Sequence, residues 1–233
     1  MKIIYNLLMK LKVKGSGNMR ISPSILSVYD KDYEAVIKMF ESVQADYIHV
    51  DVMDNIFVPN YTFDDAFVKI LKKKTDIPLD VHLMITNPDE DYLNYIDAGA
   101  DIVTFHFEAT TNHAELIKKI KNAGAKVGVS IKPNTSVNVL EPFLDQLDLI
   151  LVMSVEPGFG GQKFIPSAVE KIAYLDKLRK DKNYKYLIEV DGGINSETSK
   201  LVKKAGCDII VVGSYLMNST SIVDTYNELK NTK

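Results

Sequence analysis

The chain of 233 residues holds one cysteine, Cys207. That excludes an internal disulfide and a cysteine-rich metal site, and it fits a reducing compartment, the cytoplasm. Its setting, AGCDIIVV, is that of a small buried residue and not of a nucleophile. An excess of one charge is also missing. The formal net charge is −3, acids and bases are mixed, and lysine pairs fall at helical spacing, which describes a solvated surface and offers no patch for nucleic acid. No apolar run approaches the roughly 20 residues needed to cross a bilayer, so no membrane segment is expected. No early strand pattern carries a G-x-G-x-x-G turn, which removes the usual argument for a dinucleotide.

What is there is 46% hydrophobic and 25% charged, enough for a large core. Residues 1–18, MKIIYNLLMKLKVKGSGN, begin basic and apolar like a signal peptide, but Asn6 and Lys10 break the run and no small-residue cleavage site follows. They read as a poorly ordered N-terminal extension, with residues 19–233 as one domain. From Arg20 onward, β-rich runs alternate with amphipathic stretches: RISPSIL, YIHVDVM, PLDVHLMI, DIVTFHF, KVGVSI, LILVMSV, YLIEVDGG and DIIVVGS. Between them lie helical patterns such as DYEAVIKMFESVQA and SAVEKIAYLDKLRKD, several closing on Ala-Gly-Ala or Ala-Gly-Cys turns. Eight strand-helix units require parallel strands with right-handed crossovers, and the leading architecture is the closed (β/α)₈ TIM barrel. An open doubly wound sheet is the alternative.

Such barrels carry their sites at the carboxyl ends of the strands. The awkward polar residues sit there. His49 and Asp51 lie two apart on the second strand and so face the same way, with Met53; His82 is late in the third, His106 ends the fourth, and Asp191 ends the seventh. A strand-end His and Asp often only satisfy each other. Four such groups from three strands are better explained by a shared partner. One divalent ion bound by His49, Asp51, His82 and Asp191 has two nitrogen and two oxygen ligands, a set that suits Zn²⁺ and is acceptable to Fe²⁺, Mn²⁺ or Co²⁺.

The blocks ISPSILS, HVDVMD followed by FVPN, LDVHLMI, MSVEPGFGGQKFIP, EVDGGIN and VVGS resemble the ribulose-phosphate 3-epimerase family, in order and at compatible spacing, over Ile21 to Ser214. The resemblance implies a phosphate-binding barrel in which Asp51 and Asp191 are the acid/base pair and His49, Asp51, His82 and Asp191 the metal ligands. It further implies that Ser24, His82, Asp191, the loop Gly158, Phe159, Gly160 and Gly161, together with Gly192, Gly193, Gly213 and Ser214, contact the substrate and its phosphate. Met53, Met84 and Met153, core-filling by default, would line the site. His106 and Glu108 are expected to form a supporting hydrogen-bonded pair outside the ligand set. His113 is expected at a helix start, exposed.

The chemistry can be argued from the residues as well. Inverting the carbon beside a ketone removes its proton from one face and returns one to the other, which two opposed carboxylates can do, through an enediolate. A divalent ion on the ketone and hydroxyl oxygens compensates for the weakness of a carboxylate as base. DGG after strand seven and GS after strand eight fall where barrels bind phosphate; no Lys or Arg is conspicuous there, so backbone amides, aided by the dipoles of the following helices, are expected to dominate. EPGFGGQKF after strand six reads as a mobile lid, with a rigid glycine-rich turn as the alternative. Asn55 stands where the family usually has glycine, and YTFDDAF also departs from its pattern; both bear on substrate preference. The expected reaction is interconversion of D-ribulose 5-phosphate and D-xylulose 5-phosphate, by a homo-oligomer. The alternative is the same chemistry on allulose 6-phosphate. A barrel decarboxylase would need an Asp-x-Lys-x-x-Asp run, and Asp51-Val52-Met53-Asp54 has no lysine. A non-catalytic sugar-phosphate binder gives no reason for two opposed aspartates beside two histidines.

Overall fold

The computed structural model describes residues 18–28 and 32–232, so the expectation for residues 1–18 lies, Asn18 apart, outside the described residues. Eight parallel strands form one sheet: β1 (Arg20–Pro23), β2 (Ile48–Met53), β3 (Leu79–Met84), β4 (Ile102–His106), β5 (Lys126–Ile131), β6 (Leu149–Met153), β7 (Leu187–Asp191) and β8 (Ile209–Val212). Each of β2 to β7 pairs with its successor and β8 with β1; the parallel bridge Ser24–His49 joins β1 to β2 and completes the ring. The helices are α1 (Tyr33–Ser42), α2 (Asp65–Lys72), α3 (Pro88–Ala98), α4 (His113–Asn122), α5 (Ser167–Lys182), α6 (Ser196–Ala205), the single turn α7 (Ser214–Met217) and α8 (Ile222–Lys230). As the Ala-Gly-Cys turn predicts, Gly206 ends α6 in the left-handed region, φ 104°. Between β5 and β6 the crossover is a 3₁₀ segment, Val137–Phe143, with Pro142 inside it. Proline has no N–H to donate and clashes with the preceding turn, so an α-helix does not extend through it.

The strand alternation sorts the core. Outward residues such as Val50, Val52, Val81, Leu83, Val103 and Phe105 pack against the helices in the main apolar cluster. Inward residues Tyr47, Ile102, Leu149, Leu151 and Ile209 form a separate cluster that plugs the barrel interior. Polar inward side chains are thereby confined toward the other end of the barrel.

The bottom rim shows a four-fold repetition. Asp46, Asp101, Asp148 and Asp208 each precede an even-numbered strand and accept a hydrogen bond from the backbone N–H of the neighbouring odd strand: Ile21 at 3.0 Å, Leu79 at 2.8 Å, Val127 at 3.0 Å and Ile188 at 2.8 Å. Each also meets a cation from a helix, namely Lys230, Lys72, Lys121 and Arg179 respectively. These carboxylates satisfy strand-end donors that would otherwise lack a partner.

Candidate active site

Following the strand registers around the ring places inward side chains in layers drawn from alternate strands, as barrel geometry requires. Ser22, Asp80, Gly128 and Glu189 share one layer; His49, Thr104, Leu151 and Val211 lie above it. The next layer up holds Ser24, His82, Ser130 and Asp191, and Asp51, His106, Met153 and Gly213 reach the mouth. Three successive layers therefore bring His49, Asp51, His82 and Asp191 together, with one ligand atom from each within 4.8 Å of the others.

Hydrogen bonds show which atoms converge. Asp51 Oδ1 lies 3.2 Å from His49 Nε2 and 3.3 Å from His82 Nδ1, while Asp51 Oδ2 accepts from the Ser24 hydroxyl at 2.8 Å. His49 Nδ1 is engaged by Asp80 Oδ2 at 2.6 Å, so its Nε2 is turned toward the cluster, where the contact with Asp51 Oδ1 is close but not aligned as a hydrogen bond. A buried imidazole nitrogen aimed at two carboxylates without a bond of its own is what a metal ligand looks like before the ion is added. The donor set fits a divalent ion: two nitrogens, two oxygens, and carboxylate charge to balance it.

The electrostatics follow from burial and crowding. Burial alone would raise the Asp51 carboxyl, but His49 and His82 hold it well below the usual range. Asp191 is pushed up to about 7 by burial and by the charge of Asp51. Burial opposes a proton on His49, yet Asp80 and Asp51 raise it well above the usual histidine value. Burial lowers His106 to about 4. Glu108, despite burial, is held at about 2 by its bonds to His106, Thr135 and the Lys132 N–H.

Above these groups opens a cavity of about 480 Å³. Ser24, Asp51 and Asp191 line it, as do Met53, Met84 and Met153, the loop Gly158–Gly161, and Gly192, Gly193, Gly213 and Ser214. His49 and His82 are buried beneath the floor. Gly193 has φ 63°, and a Cβ there would lie 2.4 Å from the backbone nitrogen of Phe164, so only glycine lets the β6 and β7 loops approach this closely. Gly160 has neither a left-handed φ nor a neighbour within 4 Å of a Cβ, and its backbone does not require glycine. The loop after β6 is closed on itself: Ile165 N–H donates to Ser154 O at 2.7 Å, Gln162 Nε2 donates to the carbonyls of Glu156 and Phe159, and Asn60 Nδ2 donates to Gly158 O at 3.0 Å. Asn55 adopts φ 60°, the left-handed conformation that glycine would take there, and is solvent-exposed.

Several details depart from the sequence reading. Lys163, an exposed lysine in the loop after β6, is among the residues that line the cavity, where no cation is conspicuous in the sequence. The helix after Ser214 is one turn long, so that loop offers N–H groups and little dipole. His113 is half-buried, stacked on Phe107 with ring centroids 4.0 Å apart, and bonded to Phe107 O. The deeper carboxylates Asp80 and Glu189 were not singled out by the sequence reading. Each stands two residues before a ligand, in LDVHL and EVD, and that spacing was the signal. Glu189 is fully buried with no partner at either carboxyl oxygen, and burial together with the Asp80 charge pushes its carboxyl well up. No helix among the described residues is long and apolar enough to cross a membrane.

A model of the ribulose-phosphate 3 epimerase family matches residues 20–217. The chain is 44% identical to the ribulose-phosphate 3-epimerase of Bacillus subtilis, over 92% of its own length and 99% of the relative's. It is 42% identical to the chloroplastic ribulose-5-phosphate-3-epimerase of Arabidopsis thaliana, over 91% of this chain and 76% of that one. Among solved structures, 3-hexulose-6-phosphate synthase from Salmonella typhimurium is similar at TM-score 0.67 and 20% identity, covering 92% of this chain and 98% of that chain, a likeness of fold. With its six motif blocks in place on an eight-stranded barrel, the chain belongs to the ribulose-phosphate 3-epimerase family, isomerases that act on carbohydrates.

Proposed function

We propose that the chain interconverts D-ribulose 5-phosphate and D-xylulose 5-phosphate, with one divalent ion held by His49, Asp51, His82 and Asp191. The observation that carries this reading is the convergence of Asp51 from β2 and Asp191 from β7 on one cavity floor. Asp51 takes the C3 proton from one face of the substrate and Asp191 delivers a proton to the other; in the reverse reaction the roles exchange. When bound, the divalent ion offsets the negative charge that develops on the substrate's oxygens. Two nitrogen and two oxygen donors favour Zn²⁺, with Fe²⁺, Mn²⁺ and Co²⁺ also accommodated.

The remaining lining residues bind and shield. Ser24 fixes the far oxygen of Asp51, so the near oxygen keeps its orientation. Met53, Met84 and Met153 limit movement of the sugar, and the amides of Gly192, Gly193, Gly213 and Ser214 receive the phosphate, with Lys163 beside them. The loop from Gly158 to Gly161 closes over the substrate and keeps water from the enediolate. A cytoplasmic location fits the single buried thiol of Cys207. The chain acts as a homo-oligomer in this reading, which light scattering would test.

The test is proton exchange at C3 in D₂O, followed by NMR for each epimer separately. Asp191→Asn at saturating Zn²⁺ should lower epimerisation by about 10² to 10⁴ while one epimer alone still exchanges through Asp51, and Asp51→Asn should exchange only the other. Epimerisation by Asp191→Asn at the unaltered rate defeats the two-carboxylate reading. Turnover of allulose 6-phosphate faster than ribulose 5-phosphate defeats the assigned substrate.

A further inference from the structure

Beside His82, on the side away from Asp51, stands a chain of hydrogen-bonded groups, a buried histidine and a partly exposed glutamate, that the reaction above does not use. His82 Nε2 lies 2.9 Å from His106 Nε2, and His106 Nδ1 lies 3.3 Å from Glu108 Oε2. Both histidines are fully buried. The other oxygen of Glu108 accepts from the Lys132 N–H at 2.8 Å and from the Thr135 hydroxyl. That turn is itself clamped by Lys171, whose ammonium donates to the carbonyls of Lys132, Pro133 and Thr135 at 3.0, 2.7 and 2.7 Å. The Phe57 ring covers His106 with centroids 4.9 Å apart, and the Lys132 ammonium caps the Phe57 ring at 3.9 Å.

A carboxylate stands at each end of this chain, Asp51 3.3 Å from His82 Nδ1 and Glu108 3.3 Å from His106 Nδ1, and the Glu108 end orders the protons as follows. An ionised carboxylate only accepts, so Glu108 calls for the N–H of His106 on Nδ1. A neutral imidazole has one N–H, which leaves His106 Nε2 bare. His82 Nε2, at bonding distance from that bare nitrogen, then carries the His82 proton. His82 Nδ1 is left unprotonated, and this is the atom facing Asp51 Oδ1 in the ligand cluster. With no bias at Nε2, the Asp51 carboxylate 3.3 Å from Nδ1 would favour the tautomer protonated there, and that tautomer cannot bind a cation at Nδ1.

We infer that Glu108 and His106 are positioning residues, a relay that presets His82 in the tautomer whose Nδ1 is free for the divalent ion. The inference rests on the metal reading above, and it complements His49, whose Nδ1 contact with Asp80 frees the opposite nitrogen. The two histidine ligands thus present different ring nitrogens, each selected by a carboxylate outside the ligand set.

The experiment is ¹⁵N NMR of histidine-labelled full-length protein, loaded with Zn²⁺ and stripped with chelator; the four histidines make the long-range proton–nitrogen pattern assignable. His82 should be protonated at Nε2 and His106 at Nδ1 in both states. A proton on His106 Nε2 overturns the relay even if Zn²⁺ binds, whereas failure of the unaltered protein to bind Zn²⁺ defeats the metal reading instead. In chelator competition, His106→Leu, which cannot accept a bond, should weaken Zn²⁺ binding about 10- to 100-fold. His106→Gln, whose amide oxygen can accept from His82, should recover most of that loss. Equal weakening in both variants, or none in His106→Leu, would show that position 106 serves packing only.

Discussion

His49 Nδ1 and Asp80 Oδ2 lie 2.6 Å apart across two successive buried layers beneath the mouth, which fixes the His49 ring with Nε2 turned toward Asp51 and Asp191. The carboxylate also makes the imidazole a stronger ligand, since the N–H it accepts from becomes more polarised. Asp80→Asn keeps the shape and removes the charge. Zn²⁺ affinity, measured by competition with a coloured chelator, should fall by about tenfold or more, and an unchanged affinity would make Asp80 only a packing group.

Asp191 gives a pH dependence whose sign can be worked out. Its carboxyl is raised from the ordinary 3.8 to about 7 in the folded, metal-free protein, by burial and the Asp51 charge. The folded state then holds this proton more tightly than the unfolded chain does. The contribution to folding is fully present below the unfolded value and is lost as pH rises through about 7. In chelator-treated protein, Asp191→Asn should therefore gain in Tm relative to the unaltered chain as pH is raised from the ordinary value toward 7. A difference that stays flat or runs the other way contradicts the assignment.

Lys163 is the one cation lining the cavity among the described residues. A phosphate dianion held by neutral amides gains from a nearby ammonium even at partial exposure. Lys163→Met should raise KM for the ketose phosphate several-fold, leave kcat and Tm close to unaltered, and reduce the dependence of kcat/KM on salt. Steady-state kinetics at two ionic strengths distinguish this from a lysine directed only at solvent.

The bottom rim should behave differently. Asp208 accepts from Ile188 N–H at 2.8 Å and pairs with Arg179, far from the cavity. Asp208→Ala leaves a strand-end donor and part of a guanidinium unsatisfied, a loss of about 1.5–3 kcal/mol for hydrogen bonds to a charged group. Urea unfolding should show a lower midpoint at unchanged m, with kcat retained once the protein is folded. A drop in kcat at full stability would show that this rim communicates with the mouth.

The eight strands were legible in the residues alone, because β-branched runs bounded by glycine turns have few alternatives when amphipathic helices separate them. Period-two alternation also determined that His49 and Asp51 share a face, and motif order identified the family. Closure of the barrel decided the rest. Asp80 and Glu189 were written two residues before His82 and Asp191, but alternation alone does not say which face turns inward or at what depth. The contact of His82 with His106 depends on strand tilt and layer offset, which no local pattern encodes. Lys163 became a lining residue only through the approach of its loop to Gly193, a meeting of segments thirty residues apart that is set by the spacing of β6 and β7. Local sequence chose the elements through backbone propensity, and the ring of strands chose which of their side chains meet, because that depends on the curvature of the whole sheet.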